Sequence, residues 1–173
     1  MSTVIIPEDF QVNGSLKVVG AINFVAGVDN ADVASSAGIL ATKLQHQHII
    51  PYSQADGSAV AAAIVPIYTC RGATGTVVAF QVACVDSPSG GGDLKFTVDL
   101  KIFDADTPAP ASILTGVVDY VNDTADGVVL AGTIDSASLV VGDSLMVVVA
   151  VSGSTGTQGQ GLIVSTTVRE DAE

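Results

Sequence analysis

Asp93-Leu94-Lys95-Phe96-Thr97-Val98-Asp99-Leu100-Lys101-Ile102-Phe103 is the stretch that decides the fold. Leu94, Phe96, Val98, Leu100 and Ile102 fall on one side, and Lys95, Thr97, Asp99 and Lys101 on the other. A period of two is that of extended chain with one face buried. The same reading extends in both directions. Residues 77–85 are apolar except for Gln81 and read as a central strand, followed by the loop Ser87-Pro88-Ser89-Gly90-Gly91-Gly92. Downstream come the loop 104–110 and strands at 112–121, 128–134, 144–151 and 162–169. In the last of these Leu162, Val164, Thr166 and Val168 share a face. Between the last two, 152–161 holds four glycines and reads as a mobile hairpin loop or flap. Short strands separated by turn residues predict an all-β fold, a β-sandwich or, at eight strands, a jelly roll. That domain spans 66–173, after a connector at 51–65.

Composition agrees. The chain has 173 residues, enough for one ordinary domain of roughly 100–150 residues and an extension. Hydrophobic residues make up 48 %, so a core can form, and the absence of Trp beside many Val, Ala and Gly favours strands and tight turns. Six basic residues against eighteen acidic ones give a net charge of −12. Such a surface repels nucleic acid and anionic membranes, and it keeps β-rich chains from pairing at their edges. No apolar run reaches the roughly 18 residues of a membrane helix, and the first residues lack a signal-peptide pattern. Assembly in a cytoplasm is the expectation. Cys70 and Cys84 are expected as buried free thiols. A hairpin turn at 72–75 would pair Cys70 near Val77 and leave Cys84 far away.

Residues 1–50 have a different character. From Phe10 to Phe24 every even position is apolar or glycine, with Phe10, Val12, Leu16, Val18, Ile22 and Phe24 the large ones. A lone strand cannot bury such a face by itself, so it calls for partners, and copies of the same chain are the simplest. Val33, Ala37, Leu40 and Leu44 then fall at helical spacing, which predicts a short helix with an apolar stripe. The fold expected overall is a β-sandwich or jelly-roll domain preceded by an extended N-terminal arm with a short helix.

Catalytic patterns are poorly represented. The two histidines, His46 and His48, lie outside the sandwich, there is no Gly-x-Ser-x-Gly elbow, and the glycine-rich 153–161 precedes a strand rather than a helix. The carboxylate pairs Asp104/Asp106 and Asp123/Asp126 lie in turns, where Asp ordinarily caps backbone amides. No catalytic residues and no enzyme activity are expected. His46 and His48 are the remaining chemical candidates. Two imidazoles at i and i+2 are too few for a metal in one chain, but six around a threefold axis could enclose a transition metal. The plainer reading is a pair of polar residues ending a helix.

Two segments carry a resemblance. Residues 29–44, Asp-Asn-Ala-Asp-Val-Ala-Ser-Ser-Ala-Gly-Ile-Leu-Ala-Thr-Lys-Leu, resemble a segment of tailed-bacteriophage virion proteins, and 14–24 resemble the strands of trimeric phage fibres. Such fibres also carry His-x-His pairs that hold iron on the threefold axis, a pattern His46 and His48 match in type and spacing only. The stretch 75–170 resembles the small β-sandwich modules of phage head decoration, or cement, proteins. The chain lacks a long shaft and an aromatic-rich tip, which favours decoration over fibre. The resemblance implies a homotrimer on the outer capsid surface of the virion, bound to the major capsid protein and stabilising the shell. Its trimer and capsid contacts would be Phe10, Val12, Leu16, Val18, Ile22, Phe24, Val33, Leu40 and Leu44. The alternative is a short trimeric fibre or a host- or glycan-adhesion protein.

Overall fold

The structure is a computed structural model. It describes residues 46–71, 74–104, 109–122, 124–136 and 138–170, all within one compact unit. The short helix and the contacts expected at Phe10, Val12, Leu16, Val18, Ile22, Phe24, Val33, Leu40 and Leu44 lie outside the described residues.

Among the described residues the fold is all-β. The strands are β1 (His46–Ser53), β2 (Ala63–Thr69), β3 (Gly75–Asp86), β4 (Lys95–Phe103), β5 (Ala111–Ser112), β6 (Val118–Tyr120), β7 (Leu130–Ala131), β8 (Ser138–Leu139), β9 (Ser144–Ser152) and β10 (Gln160–Glu170). They form two sheets, and every pairing is antiparallel. The first sheet runs β1-β10-β3-β7, with β8 also on β3; the second runs β2-β9-β4-β5, with β6 also on β4. The chain therefore changes sheet at β1–β2, β2–β3, β3–β4, β6–β7, β8–β9 and β9–β10.

This corrects the hairpin expected around residues 72–75. β2 pairs with β9 and β3 with β10, so Cys70 does not face Val77 across a turn. Instead Cys70 exchanges backbone hydrogen bonds with the 142–143 turn: its N–H donates to the Asp143 carbonyl at 2.8 Å, and its carbonyl accepts from Gly142 at 2.9 Å. Neither cysteine is in a disulfide, and both are buried. Cys84 Sγ donates to the Asp86 and Gln160 carbonyls, each at 2.9 Å, and burial pushes its pKa up to about 11.

The alternation read in the sequence is what builds the core. Phe96, Val98 and Leu100 of β4 and Leu145, Val147 and Val149 of β9 meet Val77, Phe80, Val82 and Cys84 of β3 and Leu162, Val164 and Val168 of β10 in one cluster. Two sheets sharing one core fit a β-sandwich. Phe96 and Tyr120, paired across β4 and β6, stack at 5.0 Å with both rings buried. The Tyr120 hydroxyl is satisfied by the Val128 carbonyl. Each such fully buried side chain contributes about 1.5–3 kcal/mol.

Both strands at one side of the molecule carry a proline, Pro51 in β1 and Pro66 in β2. Proline lacks a donor, so it suits an edge and blocks further strand addition there. The boundary drawn at residue 50 falls inside β1, and 51–65 contains the end of β1, the buried Val60 and the start of β2. Polar His-Gln-His followed by Pro hid that strand.

Candidate interaction surface

His46 and His48 lie on one side of β1, as their i, i+2 spacing requires, with ring centroids 6.4 Å apart and nearly parallel. They occupy a strand, not the end of a helix. His46 stands opposite Glu170 in the β1–β10 register, and His48 Nε2 lies 3.4 Å from Glu170 Oε2. The Tyr68 hydroxyl of β2 donates to the other oxygen, Oε1, so Glu170 ties the edges of the two sheets together. The Tyr68 bond, then the histidines, hold the Glu170 carboxyl below its usual range; burial and Glu170 raise the Tyr68 phenol. Glu170 thus belongs to β10. Within one chain this corner does not make a metal site. One histidine is taken by Glu170, and among the described residues no group of three or more His, Cys, Asp or Glu could hold an ion.

Of the carboxylates expected to cap backbone amides, Asp126 does so, and Asp143 joins it. Asp126 Oδ1 accepts the Ser87 N–H at 2.7 Å, and Asp143 Oδ2 accepts the Val140 N–H at 2.8 Å. Asp93 does more. Its Oδ1 accepts from Ser154 N at 2.9 Å, Thr155 N at 2.8 Å and Thr155 Oγ1 at 2.6 Å. These bonds hold its carboxyl far below the usual range. Leu94 N donates to Thr155 O at 3.0 Å, and Ser89 and Thr157 exchange both backbone bonds. The glycine-rich 153–161 segment, read from sequence as a mobile flap, is clamped against the 87–94 loop. Glycines allow the approach: a Cβ on Gly92 would stand 1.8 Å from Thr155 O, and one on Gly153 (φ +91°) 2.2 Å from Asp93 O.

The outer faces of the two sheets differ in charge. On the second sheet, Lys95 lies 3.9 Å from Asp119, and Lys101 lies 3.9 Å from Asp99, which also accepts from Ser112 Oγ at 2.7 Å. An open apolar hollow lies beside them at Ile64 and Val148–Val151. The first sheet's outer face follows from the register as the rows Ile49–Thr167–Ala79, Pro51–Ser165–Gln81–Ala131 and Ser53–Ile163–Ala83. These rows carry no charged side chain among the described residues, and Arg169 lies beyond the Ile49 row. Ile49 is 71 % exposed, Val129 57 % and Ile163 47 %. A hollow of about 110 Å³ opens among Gln81, Val82, Ala83, Val129, Ile163 and Ser165. Ile49 and Ile163 were not singled out in the sequence, although Ile163 sits at the outward position of a strand whose inward residues were.

No protein-family model matches the chain, and no curated protein matches it. Among solved structures it is similar to a chain in the structure of infectious bursal disease virus Gt strain, at 11 % identity and a TM-score of 0.30. The match covers 82 % of this chain and 40 % of that one.

Proposed function

We propose that this chain is a structural virion protein, a decoration or cement protein of a tailed bacteriophage that sits on the outer capsid as a homotrimer. The observation that carries the reading is the strand order. We read β1-β10-β3-β7 against β2-β9-β4-β5, with a change of sheet at six of nine steps, as two interlocked Greek keys, a jelly roll. That architecture serves viral shells as well as lectins and cupins, so the role is argued from surface and sequence rather than from fold alone. The acidic surface supports a partner other than nucleic acid, and the resemblance of 14–24 to the strands of trimeric phage fibres supports a trimer. In this reading residues 1–45 wind with their copies and grip the shell. The domain stands outside and adds buried area across the lines where a pressurised capsid opens. A transition metal at His46 and His48 belongs to this reading only across three copies.

Particles made with and without the protein test it. Cement predicts that its loss lowers the temperature at which packaged DNA escapes, with adsorption unchanged. Loss of adsorption at unchanged heat resistance would instead assign the chain to a fibre or adhesin. Metal content of the purified protein near zero per trimer would end the histidine part alone.

A further inference from the structure

We propose that the uncharged outer face of the first sheet is where copies of this chain meet, with Ile49 of one copy seated in the hollow beside Val129 and Ile163 of the next. The inference rests on the homo-oligomer of the proposed function and assigns it a surface.

Charge selects the face. Two copies at −12 repel wherever their acidic surfaces approach, and like charges brought together are costly. Rows of Ile, Pro, Ser, Thr, Ala and Gln let two such chains approach without stripping water from a charge. The second sheet's outer face would bury Lys95, Lys101 and Asp119.

Shape selects the occupant. The projecting side chain and the hollow lie apart on one sheet, Ile49 on the edge strand β1 and the hollow across β10, β3 and the residue before β7. The centre of the hollow, on β3, is two strand spacings or about 10 Å from β1, and Ile163 lies four residues, about 13 Å, along β10 from the partner of Ile49, so a chain cannot fill its own hollow. A second copy presents the projection that this one lacks at the hollow. Such a head-to-tail contact uses two different patches on each copy and closes into a ring when the rotation permits. The area is small. Ten outward positions at about 33 Å² each give roughly 330 Å² a side, under half of the roughly 800 Å² a stable partner contributes. The face therefore orients neighbours that further chain must also hold, and 45 residues precede β1 at the Ile49 edge.

The test uses the full chain with Ile49→Cys and Val129→Cys together, treated with a short thiol-to-thiol cross-linker. Cys70 and Cys84 are buried, and the two new thiols of one chain are too far apart to be joined. The expected result is a ladder of covalent dimers and trimers on a denaturing gel, with neither single variant going beyond dimers. Ile163→Arg in the same background should cut the yield at least tenfold, and Ile163→Val should keep it. Monomer bands alone, from a protein whose mass in solution is that of an oligomer, would overturn the face and leave the homo-oligomer standing. A monomeric mass for the unmodified protein would overturn both.

Discussion

Leu162 and Ile163 are neighbours in β10 with opposite environments, the first fully buried and the second 47 % exposed. Leu162→Ala should cost about 2–5 kcal/mol in denaturant unfolding, because it leaves a cavity between two sheets. Ile163→Ala should change it by about 0.5 kcal/mol or less; a loss as large as that of Leu162 would show that the face is not open. Asp93 gives a pH dependence. Its folded pKa is depressed, so its contribution is present above the unfolded value near 3.9 and is lost as pH falls through the folded value. Amide exchange at Ser154 and Thr155, corrected for intrinsic rate, should stay slow from pH 7 to 5 and be faster at every pH in Asp93→Ala. Equal protection in that variant would remove the clamp. These two positions also show what sequence makes legible. The inward side of β10 follows from alternation alone. The partners of Asp93 lie 61 and 62 positions away, and no local pattern marks them.

Among the elements, the long strands were legible and their partners were not. β3, β4, β9 and β10 announce themselves by apolar runs or alternation, whereas β5, β7 and β8 are two residues each and exist only through pairing with a neighbour. β1 was missed because its polar and proline residues match a connector, and what makes it a strand is the β10 edge it meets. The paired loops at 87–94 and 153–159 yield the prediction at this scale. Gly92→Ala drives a Cβ into the Thr155 carbonyl and should cost about 1–3 kcal/mol with faster exchange in both loops. Gly116 has open space and an ordinary φ, so Gly116→Ala should be neutral or raise stability by about 0.4–1 kcal/mol. Thermal unfolding of the two variants side by side decides it: equal midpoints would mean that the loops separate freely.

For the whole molecule, fold class was legible because two sheets need many alternating segments, whereas strand order depends on long-range pairing that periodicity does not encode. The site was less legible: His46 and His48 were named, but Glu170 beside His48, and Tyr68 which donates to Glu170, come from other strands. The described core draws on Ile50 and residues beyond it. A chain beginning at His46 should therefore unfold cooperatively with a midpoint within a few degrees of the full chain, while its mass in solution falls if residues 1–45 hold the copies together. Loss of cooperative unfolding would make the leading segment belong to the domain. The clamped glycine loops also bear on how the protein can be labelled. The 153–159 segment, with its small polar residues, would be an obvious place to insert an epitope or a fluorescent peptide, yet any insert there must pry apart backbones that are in contact. The turn at 56–58 is the better acceptor: nothing lies within 4 Å of a Cβ built on Gly57, so added chain can leave the domain there without displacing what is already seated.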